Sequence, residues 1–340
     1  IFHKTNVSEQ KTSFQNIFGF RVWIFYSFGV KIIAFQSMEN LNVYRISELS
    51  ATEQKNVRFF AEAAYVAYPT STNPKLEGYT FVKWLTGATP MFEDINSEDF
   101  VAVFKSDAVA DEYLFAFKGS ATKWDWWEDI KIEFAKFPFF NADNNDFEVE
   151  IGFKDIYVTS VSDNKKSLQY QLFEFLGNTK ITSLKISGHS LGSALAELFT
   201  YDILKSSGCN KPKTIQHINF ACPKVLNYSA AEDFRSLLTN QNSVLRIVNQ
   251  HDMIPNWPNF GEEELSFWYY HSTDFFLMDF WKKDEKFPDW FYVYHSIINY
   301  KKVINTINMT LPVTDPQDGE CWGIDINKNT IVLQYDIPNE

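Results

Sequence analysis

Cysteine is scarce: three in 340 residues, Cys209, Cys222 and Cys321, with no C-x-x-C spacing. An odd, scattered set argues against a disulfide framework and against a thiolate zinc site. Cys222 follows the apolar run Ile218-Asn219-Phe220-Ala221, so it is expected to pack in the core as a small hydrophobe. Positive charge is also short. Lys and Arg number 31 against 43 Asp and Glu, a net charge of -12, with no basic stripe. Such a chain repels phosphate backbones, so no nucleic-acid partner is expected. Long uncharged apolar runs are missing as well. Ile17 to Phe35 is strongly apolar, but Arg21 and Lys31 interrupt it, and the stretch Val22 to Val30 is too short to span a bilayer as a helix. No internal repeat is present.

What the chain has is apolar mass: 45% hydrophobic and 17% aromatic residues, 33 of them Phe, ample for one large core. The first 37 residues stand apart, and two readings of them are open. Basic residues ahead of the apolar stretch suit a signal peptide or membrane anchor, which implies a secreted or membrane-associated protein. Alternatively, Met38-Glu39-Asn40 makes a normal start, residues 1–37 are upstream sequence, and the protein is cytoplasmic. Sequons at Asn6, Asn227 and Asn308 permit glycosylation but arise easily in an Asn-rich chain. Residues 38–312 read as one domain. Residues 313–340 form a tail with room to pack on it and a hairpin signal around Asn327-Lys328-Asn329.

Within that domain, strands alternate with helices. Ser50 to Tyr68 reads as an amphipathic helix, capped by Ser50 with Glu53 three residues on and stopped by Pro69. Phe100 to Phe104 and Tyr113 to Phe117 read as buried strands. Lys166 to Leu176 reads as a helix ended by Gly177-Asn178. Beyond it, Thr214 to Ala221 and Val244 to Val248 read as strands. Ala230 to Leu238 and His295 to Ile307 read as helices. This spacing predicts an α/β fold with a mostly parallel sheet and helices on both faces.

Between the second helix and the strand Thr214 to Ala221 lies Gly188-His189-Ser190-Leu191-Gly192. It follows the apolar run Ile181 to Ile186 and precedes the helical run Ala194 to Phe199. Strand, G-x-S-x-G, helix is the setting of a nucleophile elbow, in which a sharp turn projects a serine hydroxyl above the sheet. Gly188 and Gly192 flank the turn because its two arms approach too closely for a Cβ. The bland alternative is a Gly-rich turn with a passive serine.

A serine nucleophile needs a base, and the base needs an acid to hold its tautomer. In hydrolases of this sheet type the chain order is Ser, acid, His. Of six histidines, His3, His189 and His217 lie outside that order or flank the serine, and His251 precedes the best acid. His271 and His295 remain. The acid is Asp252, just beyond the strand Val244 to Val248, where such sheets place ligand and catalytic groups. Asp274 and Asp279 are weaker, because no strand end precedes them. Oxyanion donors are expected from the Leu191 N–H and from Ser120, in the loop Lys118-Gly119-Ser120 after the strand Tyr113 to Phe117. Trp124, Trp126 and Trp127 follow at once. They read as a lid that covers the site in water and meets lipid when open, or else as a short helix packed into the core.

These motifs together resemble the class 3 lipase family, the fungal triacylglycerol lipases and their eukaryotic relatives. The resemblance runs from about Phe59 to Tyr300. It includes Phe117-Lys118-Gly119-Ser120, Gly152-Phe153, Ile186 to Gly192, Phe220 to Val225, Val248 to Asp252 with Ile254-Pro255, and His295 with Tyr300. It implies an α/β-hydrolase fold, Ser190 as nucleophile, Asp252 as acid and His295, not His271, as base. It also implies oxyanion donors at Ser120 and Leu191 and a lid over about Ala121 to Ile132. The family usually has Arg at Lys118, His at Glu150 and Gly at Ala221, and the disulfides of its secreted fungal members have no match here. The expected function is therefore a serine carboxylester hydrolase of glycerolipids. It would need no metal or cofactor, would contact a lipid interface transiently, and its oligomeric state is left open. Phospholipase A1, a short-chain or feruloyl-type esterase and a non-catalytic lipase-like interaction protein are the alternatives.

Overall fold

The computed structural model describes residues 16–17, 20–27, 30–37, 43–45, 49–68, 72–89, 96–120, 133–140, 146–160, 162, 165–206, 210–249, 251–258, 269–273, 275–278, 281–282, 293–306, 321–323 and 333–334. The chain divides into two compact units, Ile1–Leu41 and Asn42–Glu340. In the first, β1 (Asn16–Ile17), β2 (Phe20–Ser27) and β3 (Val30–Ser37) form an antiparallel sheet in that order. The β2–β3 register runs from Phe20 opposite Ser37 to Ser27 opposite Val30. Among the described residues no helix is long and apolar enough to cross a membrane.

The second unit begins with β4 (Val43–Arg45), α1 (Ala51–Val66), β5 (Tyr79–Thr89), β6 (Asn96–Ser106), β7 (Glu112–Phe117), β8 (Phe134–Lys136) and β9 (Glu148–Glu150). There follow α2 (Ile151–Val158), α3 (Leu168–Asn178), β10 (Ser183–His189), α4 (Leu191–Lys205), β11 (Thr214–Phe220), β12 (Leu226–Asn227) and α5 (Tyr228–Ser236). The last elements are β13 (Asn242–Asn249), β14 (Tyr269–Tyr270), β15 (Phe275–Met278), β16 (Trp281–Lys282), α6 (Ile297–Thr306), β17 (Cys321–Gly323) and β18 (Leu333–Gln334).

Eight strands make the central sheet in the order β4-β15-β13-β11-β10-β7-β6-β5. Every pairing from β4 to β7 is parallel. The β7–β6 and β6–β5 pairings are antiparallel. The chain between β6 and β7 is too short for a crossover, so those strands can only form a hairpin, and Asp111 turns it at φ 58°. Two small sheets stand apart, β14-β12-β9-β8 and β16-β17-β18. The tail residues 321–323 and 333–334 pair antiparallel around the Asn327 to Asn329 turn signal.

Side chains alternate across the strands, and the two faces bury separate cores. Tyr113, Phe115 and Phe117 of β7 point to one side, with Phe153 of α2, Leu172 of α3, Phe199 of α4 and Phe234 of α5. Leu114 and Ala116 point to the other, with Val57 and Phe60 of α1 and Tyr300 and Val303 of α6. α1 starts where Ser50 and Glu53 complete a capping box: the Ser50 hydroxyl accepts from the Glu53 N–H at 3.3 Å and the Glu53 carboxylate accepts from the Ser50 N–H at 2.8 Å. α4 is buried along nearly its whole length, because the sheet covers one side and α2, α3 and α5 the other. Asp202 on α4 ties these layers. Its buried carboxylate accepts from the Phe140 N–H, Tyr157 hydroxyl, Gln169 amide and Ser206 hydroxyl.

Phe199 stacks on Phe115 and meets Phe117 and Phe173. Phe199→Ala should cost about 3–5 kcal/mol of stability. Urea unfolding checks this by a lower midpoint at an unchanged slope.

Candidate active site

β10 ends at His189 and α4 begins at Leu191, so Ser190 alone reverses the chain. It does so at φ 59° and ψ -130°, a conformation that costs a side-chain-bearing residue about 1–3 kcal/mol. Close backbone packing holds it there. A Cβ on Gly188 would lie 2.5 Å from the Gly192 carbonyl oxygen, and one on Gly192 would overlap the Phe117 carbonyl oxygen and lie 2.7 Å from the Lys118 carbonyl carbon. The Ser190 N–H and the Ser193 hydroxyl both donate to the Phe220 carbonyl, at 3.1 and 2.7 Å, and pin the turn to the end of β11.

Above this turn the structure brings together Ser190, His295 and Asp252. The Ser190 Oγ lies 2.7 Å from His295 Nε2. His295 Nδ1 lies 2.9 and 3.1 Å from the two Asp252 oxygens. A carboxylate accepts, so Nδ1 carries the proton and Nε2 is left to accept from the serine hydroxyl. Two more donors satisfy Asp252: the Tyr300 hydroxyl at 2.9 Å and the Ile254 N–H at 3.0 Å. The three residues are 3%, 8% and 1% exposed respectively, so their electrostatics are weakly screened. His295 does not sit on the helix expected to start with it. Residues 293–295 form a short helical turn of their own, Ser296 breaks it, and α6 begins at Ile297, so His295 ends one helical segment rather than starting the next. His271 is elsewhere, its Nε2 on the Pro255 carbonyl at 2.7 Å.

The parallel register sets Gly188 opposite Phe117, so the loop Lys118-Gly119-Ser120 leaves β7 at the level of the elbow. Leu191 opens α4, and its N–H has no acceptor within the helix. The two expected oxyanion donors thus leave adjacent strand ends. Lys118 is buried and pairs with Glu98 at 3.5 Å. Trp124, Trp126 and Trp127 lie outside the described residues, as do Asp274 and Asp279.

Buried polar groups surround this centre. Glu150 caps α2, taking the N–H groups of Gly152 and Phe153 at 2.9 and 2.7 Å, while burial pushes its carboxyl up to about 8 against those donors. Cys222 packs in the core as expected, and it has a polar partner there as well. Its thiol donates to Glu197 at 3.2 Å, and burial beside that carboxylate pushes it far up. Cys209 lies outside the described residues, and of Cys321 only the backbone pairing is described. Burial depresses three imidazoles, His189, His271 and His217, the last to about 4. The sequence reading assigned no role to Tyr68, which donates to His189 Nδ1 at 2.5 Å, or to Asn249, whose N–H donates to the Tyr300 hydroxyl at 2.8 Å. Only the recurrence of Asn249 and Tyr300 in the quoted motifs marked them.

Residues 114–262 match the family described as "Lipase (class 3)". Phospholipase A(1) DAD1 of Arabidopsis thaliana is 31% identical over 156 residues, covering 43% of this chain and 34% of its own. Galactolipase DONGLE of the same plant is 30% identical over 165 residues, covering 44% of this chain and 34% of its own. The chain thus spans about a third of the length of these curated relatives. Among solved structures, the Rhizomucor miehei triacylglyceride lipase aligns with a TM-score of 0.51 at 18% identity, over 67% of this chain and 81% of its own. That likeness is one of fold: the chain has the α/β-hydrolase fold.

Ala221 sits at φ 51°, in the left-handed region, where the resemblance led one to expect glycine. Ala221→Gly should relieve the strain and stabilise the protein by about 1 kcal/mol, read as a higher urea midpoint. The buried histidines predict an acid weakness. Each is neutral when folded, whereas an unfolded histidine takes a proton below about pH 6.5. Their contribution is therefore complete above that pH and drains as pH falls toward the folded value of about 4 for His217. That group alone accounts for about 3 kcal/mol at the acid end. Glu150, pushed up to about 8, works in the opposite direction over the same range, so the test is differential: in urea unfolding from pH 7.5 to 4.5, wild type should lose stability relative to His217→Gln.

Proposed function

We propose that this chain, a member of the class 3 lipase family through its residues 114–262, is a serine carboxylester hydrolase that cleaves acyl esters of glycerolipids. The observation that carries the reading is the hydrogen-bonded series Ser190, His295, Asp252 on a strained elbow. Ser190 Oγ attacks the ester carbonyl while His295 Nε2 takes its proton. Asp252 stabilises the imidazolium, and the donors from Tyr300 and Ile254 keep the carboxylate in place. The N–H groups of Leu191 and Ser120 take up the oxyanion, at about 3 kcal/mol per donor. His295 returns the proton to the leaving alcohol, and water deacylates the enzyme by the same route. In this reading Trp124, Trp126 and Trp127 belong to a lid that meets the lipid surface.

The plant relatives, a phospholipase A(1) and a galactolipase, favour a second reading of the same chemistry, in which the glycerolipid is polar, a phospholipid or galactolipid rather than a triacylglycerol.

Hydrolysis of p-nitrophenyl esters from C2 to C16, and of triacylglycerol, phosphatidylcholine and galactolipid dispersions, tests both. Long-chain activity that rises at the interface and falls about 10⁴-fold or more in Ser190→Ala is expected. The preferred dispersion selects between the two readings. A preference for C2–C4 without interfacial gain would replace lipase with esterase, and a folded protein inert on every ester would sink the enzyme.

A further inference from the structure

Val293, Tyr294 and His295 present three successive backbone carbonyls just ahead of α6, and each is bound by a side-chain donor from a different element. Asn299 Nδ2, on α6, donates to the Val293 carbonyl at 2.7 Å. Asn249 Nδ2, at the end of β13, donates to the Tyr294 carbonyl at 3.2 Å. His189 Nε2, at the end of β10, lies 2.7 Å from the His295 carbonyl. A carbonyl only accepts, so His189 carries its proton on Nε2. The Tyr68 hydroxyl at 2.5 Å from Nδ1 enforces that tautomer by donating to the other nitrogen.

We propose that His189, Asn249 and Asn299 act as a clamp on this turn and are positioning residues for the base His295. The proposal rests on the hydrolase reading above. Its geometry refers the base to both of its partners. His189 adjoins Ser190 in the chain, and its ring lies 4.7 Å from that of His295. Asn249 stands at the strand end that leads to Asp252, and its Oδ1 also accepts from the His251 N–H at 3.4 Å. Buried carbonyls need donors in any protein. Donors drawn from the nucleophile's strand and the acid's strand do more: they fix the distance from Nε2 to Oγ. An error of about 1 Å in such a distance can cost about a hundredfold in rate.

The test compares wild type with His189→Leu, His189→Gln, Asn299→Leu and Tyr68→Phe. For each, kcat and KM on one p-nitrophenyl ester are measured beside the rate at which a fluorophosphonate labels Ser190, with near-UV circular dichroism to verify folding. His189→Leu and Asn299→Leu should lower kcat and the labelling rate together, about ten- to a hundredfold, with KM within about twofold. His189→Gln, whose amide can still donate to the His295 carbonyl, should recover most of that loss. Tyr68→Phe should cost a few-fold in both rates. If His189→Leu does not fold, the other three carry the test. Folded Asn299→Leu and Tyr68→Phe with wild-type kcat would overturn the clamp, as would a kcat loss without a loss in labelling rate. Ser190→Ala and His295→Ala serve as controls: full activity in either would sink the hydrolase itself, whereas their inactivity beside active clamp variants would sink only the clamp.

Discussion

The close approach of three backbone segments at the head of the sheet governs this molecule. β10, the first turn of α4 and the loop after β7 meet with no room for a Cβ at Gly188 or Gly192. Ser190 is strained as a consequence, since the chain must reverse in one residue to satisfy that contact. The strain is held by tertiary packing rather than by local preference. The buried α4 cannot rotate, and Phe220 anchors the serine and its neighbour through one carbonyl. Stored strain of this kind persists only where its surroundings over-determine it.

A second consequence is the depth of polar burial that such a head requires. Asp202, Glu197 and Asp252 are all buried carboxylates, and each takes donors from several elements. They do not make the fold strong in themselves, because desolvating a carboxylate offsets much of what its partners return. They make it specific: a slipped helix would leave a buried charge without donors. Neutral His189 works to the same end, with one nitrogen donating to the His295 carbonyl and the other accepting from Tyr68.

Local chemistry was legible from sequence. The Ser50–Glu53 box, the elbow between strand and helix, and Asp252 beyond the end of β13 all announce themselves by residue type and spacing. The order of motifs reduced the candidate bases to His271 and His295. Choosing between them by physical argument requires knowing which strand ends meet, and no periodicity encodes that. β5 went unread because its burial is irregular and its pairing with β6 shifts twice. The polar partner of Cys222 was hidden for a related reason: Glu197 sits mid-helix in an apolar run, and only the packed structure turns it toward the thiol. Tyr68 and Asn299 act on residues that spacing alone does not connect to them or that lie within one irregular turn, where sequence patterns carry least information.

The two cores on opposite faces of the sheet do not contribute equally to the site. The elbow helix α4 belongs to one, and α6, which follows the base, belongs to the other. Along the chain Ser190 precedes His295 by 105 residues. In synthesis from the N-terminus the residues of the elbow therefore emerge well before their hydrogen-bonded partner, and the Ser190–His295 contact closes only once the layer that holds α6 is in place.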